Sequence, residues 1–249
     1  MNEAHAPTLD ASLEDGHSIK EEPEHTHNNA LQWTVKPKWV SPNVIAFSSN
    51  RDVYPAGYAS SIWTMNIETG EVHKLIDASG TNDELHVFYA DEESIIAWGG
   101  MTRNVYRYEF KDGAITTYPI NGVPFSVSNN GDVLLYKQVD DSATQLPSIS
   151  ILDLANGNVS MVDHLSDHQI YNGAWDDSNR FYAFYSRSFR ELGARLFVFD
   201  VVNEAIQELQ TSKASGLIDP NGSISWLDNQ HLIISAEHGS WKISNGRGE

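Results

Sequence analysis

From Trp33 to the end of the chain, apolar positions fall in short runs of Val, Ile, Leu, Phe, Tyr and Trp, broken at close intervals by Gly, Asn and Asp. None of these runs has the 3.6-residue period of an amphipathic helix. Two kinds of run take turns. One is aliphatic and nearly continuous, as in VIAFSS, SIIAWGG, VLLYKQ, FYAFYS and LIISAE. The other alternates, as in IWTMNI, VYRYEF, SISILDL, LFVFDV and SWKIS. Short strands punctuated by turn residues predict an all-β sandwich, barrel or propeller.

The period decides among these. After each alternating strand comes a hairpin turn: TGE at Gly70, DGA at Gly113, NGN at Gly157, NEA at Glu204 and RGE at Gly248, at intervals of 43, 44, 47 and 44 residues. Before each aliphatic run stands an anchor followed by a polar turn: Trp39 in KWVSPN, Tyr89 in FYADEE, Val127 in SVSNNG, Trp175 in AWDDSN and Trp226 in SWLDNQ. Self-similarity at this period, with four strands to a unit, predicts five propeller blades.

One unit, PKWVSPNVIAFSSNRDVYPAGYASSIWTMNIETGEVHKL, resembles the repeat of TolB-like (WD-type) propellers, also found in the propeller domains of prolyl-oligopeptidase-type peptidases. The shared features are Pro and Trp, a Ser-Pro turn, an aliphatic strand leading to Ser and Arg, and an Ile-aromatic strand closing on Thr-Gly-Glu. Residues 37–75 carry the resemblance best, residues 171–209 next, and the other units mainly through hydrophobic pattern. The Asp-Gly turn usual in that family is here SPN, one residue shorter. The resemblance implies a fold rather than a reaction: such propellers serve as binding platforms, as substrate gates fused to a hydrolase, or as scaffolds. It also implies an extracytoplasmic setting for a chain whose leader has been removed; a native full-length chain points to the cytoplasm.

The last unit stops in the turn of WKISNGRGE, one strand short. NNALQWTV precedes the first complete unit, with Leu31, Trp33 and Val35 alternating against Gln32 and Thr34. The expectation is therefore an all-β, five-bladed β-propeller of four-stranded antiparallel blades over residues 30–249, its last blade closed by this N-terminal strand, which hides an aggregation-prone edge.

Composition narrows the function. The formal charge of the 249-residue chain is -18, which repels a phosphate backbone and argues against nucleic acid and anionic membrane as partners. No apolar run approaches the roughly 18 residues of a membrane helix. Without cysteine there is no disulfide, thiolate metal site or cysteine nucleophile. Residues 1–29 hold seven carboxylates against one lysine and few apolar residues, and read as a disordered acidic leader. Two histidines in HTH at residues 25–27 are too few for a metal site in such a segment.

Motifs for phosphate-cradling loops, nucleophile elbows, zinc helices and EF-hands are missing from the sequence. No catalytic residue, metal or cofactor is expected. The alternative is a five-bladed propeller enzyme acting on carbohydrate or lactone substrates, which needs facing acidic groups at the channel. Asp91, Asp176, Asp177 and Asp228 fall in hairpin turns, where Asp caps the backbone. Glu84 and His86 are better placed, at the start of an innermost strand, though without a matching second carboxylate.

The arginines carry more information. Loops joining the second and third strands of each blade share one rim, and they hold Arg51, Arg103, Arg187, Arg190 and Arg195, five of the eight arginines in this acidic chain. Tyr54, Tyr58 and Phe189 accompany them. Guanidinium forks beside aromatic rings suit carboxylates. The expected function is a monomeric, non-enzymatic module binding a protein or small acidic ligand on this rim. For Arg51 and Arg187 the competing expectation is structural pairing with an Asp or Glu of a neighbouring blade.

Overall fold

Among the described residues the apolar runs form strands and the short polar runs between them form turns. A computed structural model of the chain describes residues 34–51, 59–78, 80, 83–139, 149–162, 165, 167–188, 193–209, 221–236 and 239–244. Among them are nineteen β-strands and no helix long and apolar enough to cross a membrane. All described residues fall within one compact unit, Gln32–Glu249.

The strands build five antiparallel sheets, each a meander of segments adjacent in sequence. Sheet 1 holds β1 (Thr34–Ser41), β2 (Val44–Ser49), β3 (Ser61–Asn66) and β4 (Val72–Ile76). Sheet 2 holds β5 (Leu85–Ala90), β6 (Ser94–Gly99), β7 (Asn104–Glu109) and β8 (Ile115–Pro119). Sheet 3 holds β9 (Gly122–Val127), β10 (Val133–Gln138), β11 (Ile149–Asp153) and β12 (Val159–Val162). Sheet 4 holds β13 (His168–Trp175), β14 (Phe181–Ser188), β15 (Arg195–Asp200) and β16 (Ala205–Glu208). Sheet 5 has three described strands, β17 (Ile224–Asp228), β18 (His231–Ala236) and β19 (Gly239–Ser244).

The expected closing strand is placed differently where it can be followed. Its last two residues, Thr34 and Val35, open β1 and pair with Ser49 and Ser48 of β2, so they belong to the first sheet rather than the fifth. The rest of the segment, residues 30–33, lies outside the described residues, as do the leader and the turn at Gly248.

Hydrophobic cores lie between sheets rather than within them. Val40, Ala46 and Ile62 of sheet 1 pack with Leu85, Val87, Ile95 and Ala97 of sheet 2. Ile96 and Val105 of sheet 2, with Ile120 just after β8, meet Leu134, Tyr136 and Leu152 of sheet 3. Leu135, Ile149 and Ile151 of sheet 3 meet Trp175, Tyr182, Phe184 and Phe197 of sheet 4. Ala183, Tyr185, Leu196 and Val198 of sheet 4 meet Ile224, Leu232 and Ile234 of sheet 5. Each second strand between two sheets is thus buried on both faces. That is why these strands read as continuous apolar runs: in FYAFYS, Tyr182 and Phe184 face sheet 3 while Phe181, Ala183 and Tyr185 face sheet 5. Side chains of this size contribute about 1.5–3 kcal/mol each when fully buried.

The repeating turns share one geometry. Gly70, Gly113 and Gly157 have φ of 72°, 72° and 76°, and each amide donates to the carbonyl four residues back, on Asn66, Glu109 and Asp153. Glu204 occupies the same place at φ 52°. Of the four anchors in sheets 2 to 5, Val127, Trp175 and Trp226 lie on the face turned toward the preceding sheet. Tyr89 is the exception: it packs toward sheet 3, and its hydroxyl donates to the Asn129 carbonyl at 3.1 Å.

Candidate functional site

In each antiparallel sheet the start of the first strand lies beside the end of the second, as Thr34 beside Ser49, Leu85 beside Gly99 and His168 beside Ser188. Arg51 follows β2 directly, and its exposed guanidinium lies 5.3 Å from the ring centroids of both Phe47 and Trp63. Lys74 Nζ lies 5.7 Å from the same Trp63 ring and pairs with Asp77 at 3.1 Å. Such stacking holds a guanidinium in place while leaving its N–H fork open to solvent.

Arg187 is exposed in β14, its backbone opposite Gln169. No carboxylate among the described residues pairs with Arg51 or Arg187. Arg195 differs: its Nη1 lies 3.2 Å from Glu208 Oε2 across the β15–β16 pair. Arg103 adopts φ 56°, its amide donates to the Gly99 carbonyl, and its Nη1 donates to Asn121 Oδ1 at 3.0 Å. Tyr54, Tyr58, Phe189 and Arg190 lie outside the described residues.

Glu84 and His86 come together at the start of β5, with His86 Nε2 3.3 Å from Glu84 Oε1. The imidazole stacks on Trp98 with ring centroids 6.1 Å apart. Burial pushes its pKa below the ordinary 6.5, against the raising effect of Glu84. Its Nδ1 and the Trp98 Nε1 are buried without a hydrogen-bond partner among the described residues.

Asp83, fully buried beside them, organises the loop. Its Oδ1 accepts from the amides of Glu84 and Met101 at 2.9 Å, and its Oδ2 accepts from the Thr102 hydroxyl at 2.5 Å. A Cβ on Gly99 would stand 2.0 Å from Asp83 Oδ2, so this carboxylate fits only against glycine.

Sheet 4 repeats the device. Asp167, one residue before β13, accepts from Ser188 Oγ at 3.0 Å. His168 Nε2 lies 3.5 Å from Asp167 Oδ1, and His168 Nδ1 lies 3.1 Å from Ser186 Oγ. Lys137 Nζ donates to the His168 carbonyl, and burial lowers the Lys137 pKa while Asp167 opposes that fall. Asp167, His168 and Ser186 thus converge, which chain spacing alone does not reveal. Ser186 is 0 % exposed and its hydroxyl donates to the Gln169 carbonyl, so it is not presented to a substrate as a nucleophile. An acid just ahead of the first strand of a sheet, seen in both DEL at 83–85 and DHQ at 167–169, is the signal that marks these loop anchors.

The acids assigned to turns are used there. Asp91 Oδ1 accepts from the amides of Glu93 and Ser94, Asp176 Oδ1 from those of Arg180 and Phe181, and Asp228 Oδ1 from that of Gln230. Asp177 is exposed. Among the described residues, no group of three or more His, Asp or Glu stands close enough to hold a metal ion.

No protein-family model and no curated protein matches this sequence. Solved structures do. TolB from Acinetobacter baumannii superposes with a TM-score of 0.52 at 16% identity, over 88% of this chain and 56% of that one. A prolyl endopeptidase superposes with a TM-score of 0.56 at 13% identity, over 86% of this chain and 33% of that one. A putative TolB from Agrobacterium tumefaciens gives 0.49 at 14% identity, over 67% of this chain and 60% of that one. This chain therefore spans about half the TolB structure and a third of the endopeptidase. What it shares with them, at identities this low, is an all-β fold of the TolB-like propeller kind.

Proposed function

We propose that the five sheets are the blades of one propeller of TolB-like repeats, and that it acts as a non-enzymatic binding module. Its partner is anionic, an acidic protein segment or a small carboxylate ligand, taken up on the rim of second-to-third loops. The observation that carries this reading is the state of Arg51 and Arg187. Both are exposed, and the described structure supplies neither with a carboxylate, whereas Arg195 is neutralised by Glu208. Arg51 is also held in place on two aromatic rings. A guanidinium that is positioned but unneutralised is prepared for a bidentate carboxylate. The converging Asp167, His168 and Ser186 favour no enzymatic alternative, since the serine is buried and its proton is committed to a backbone carbonyl.

A fluorescent decaglutamate peptide is a suitable first probe, read by polarisation at low salt. Charge reversal at both positions, Arg51→Glu with Arg187→Glu, should weaken its binding by about tenfold or more, as expected when charge pairs in an interface are lost. Arg195→Glu should change binding much less. Equal affinity for the wild type and the double variant would remove this rim as the anionic site.

A further inference from the structure

Sheets 1 to 4 each end in an edge strand, β4, β8, β12 and β16, which is paired on one side only among the described strands. Such an edge invites pairing with another chain, and a charge or a proline normally blunts it. β4 carries Lys74, β16 carries Glu208, and β8 ends in Pro119, which has no N–H to offer. β12, of sequence VSMV, has neither charge nor proline.

The register of β12 shows what this edge presents. Asp153 N donates to the Asn158 carbonyl at 2.9 Å, so the β11–β12 turn is closed by a bonded pair. Bonded and non-bonded pairs alternate along an antiparallel ladder. Val159 opposite Leu152 and Met161 opposite Ser150 are therefore non-bonded pairs, and the N–H and C=O groups of Val159 and Met161 point away from β11. Their side chains share the face of Leu152, which packs toward sheet 2, whereas Val162 packs toward sheet 4. Val159 is nevertheless 50% exposed and Met161 57%. The same two residues thus offer outward backbone groups and an uncovered apolar surface.

We propose that β12 is a docking edge, which takes up an extended cationic segment of another protein as a fifth strand of sheet 3. The form of the occupant follows from the edge. Outward N–H and C=O groups two residues apart are satisfied together by a chain in the extended conformation. Val159 and Met161 lie on one face, so that chain carries apolar residues at alternate positions. Its charge follows from the net charge of -18. A second copy of this chain brings the same charge to the edge and is repelled, whereas a segment whose apolar residues are flanked by lysine or arginine is attracted. The arginines proposed to bind an anion take no part in this edge, so the inference stands apart from that reading.

A fluorescent peptide, Lys-Val-Thr-Val-Thr-Val-Lys, is the probe, read by polarisation against the full chain. Met161→Pro deletes an N–H that β11 does not use, and Met161→Lys places a charge on the edge. Each should weaken saturable binding of the peptide by about tenfold or more. Thr117→Lys, on the edge strand of sheet 2, should leave it unchanged. Hydrogen exchange on the wild-type chain gives a reading that needs no variant: the peptide should slow the amides of Val159 and Met161. The inference is overturned if the wild type does not bind the peptide, if those amides are not slowed, or if affinity survives both Met161 variants. Equal binding of Lys-Pro-Thr-Pro-Thr-Pro-Lys, which keeps the charge but cannot form a ladder, overturns it as well. A concentration-dependent dimer dissolved by Met161→Lys puts a second copy at the edge and overturns the choice of occupant. The Arg51→Glu with Arg187→Glu variant should bind this peptide no more weakly than the wild type, so the two surfaces are tested separately.

Discussion

Glu204 holds at φ 52° a backbone conformation that the three matching turns assign to Gly70, Gly113 and Gly157. A Cβ in the left-handed region costs about 1–2 kcal/mol, part of which glycine gives back as extra freedom in the unfolded chain. Glu204→Gly should therefore raise stability by about 1 kcal/mol, a shift of about 2–4 °C in Tm for a chain of this size. A calorimetric Tm equal to or below that of the wild type contradicts it. These turns are legible in the sequence because a positive φ selects a residue type, and the equivalence of NEA with TGE, DGA and NGN follows from the interval alone. The partners of the rim arginines are not legible in this way. Whether Arg195 finds Glu208 depends on the register of β15 against β16, which no local pattern encodes.

At the scale of strands, the alternation of two kinds of run was enough to separate second strands from third ones, since burial on one face or two leaves its mark on composition. Irregularities of register left no such mark. The first strand of every sheet contains or ends at a register shift, for example between Val35 and Lys38 and between Ile170 and Gly173. The shift before Gly173 brings that residue against its neighbour strand, where an added Cβ would stand 2.4 Å from Tyr182 Oη and 2.6 Å from the Ala183 carbonyl oxygen. Gly173→Ala must push a buried strand outward, and should cost about 1–3 kcal/mol. A lower urea midpoint at unchanged m-value is the expected reading; an unchanged midpoint means that β13 yields more easily than its packing implies. The placement of Thr34 and Val35 in β1 belongs to this scale as well. Their alternating pattern suits a strand in any sheet, and only pairing with Ser49 and Ser48 assigns them to the first.

Over the whole molecule, a net charge of -18 on 249 residues means that folding concentrates like charges. Screening acts over about 30 Å at 0.01 M salt and about 10 Å at 0.1 M. Tm should therefore rise as sodium chloride is raised across that range, because relief of self-repulsion outweighs the weakening of the few exposed ion pairs. The decaglutamate probe should weaken over the same titration, so stability and binding move in opposite directions. A Tm that falls with salt shows that attractive pairs dominate instead. The propeller fold was readable from a period of 43 to 47 residues, since repetition survives where individual residues diverge. The neighbourhood of the candidate site was readable only in part. Asp167, His168 and Ser186 meet because β13 and β14 pair in one register, and Asp83 reaches Met101 and Thr102 across the second sheet.

The meander order of the sheets has a consequence for how the molecule comes together and apart. Every strand pair joins neighbours in sequence, and a junction contact such as Trp175 to Ser126 spans 49 residues. Chain-closure entropy grows only with the logarithm of length, and the contacts that join consecutive sheets, Trp175 to Ser126 and Trp226 to Ala174, close loops of similar size. Sheets can therefore assemble in the order of the chain as each is completed, none of them waiting on a strand from elsewhere in the sequence.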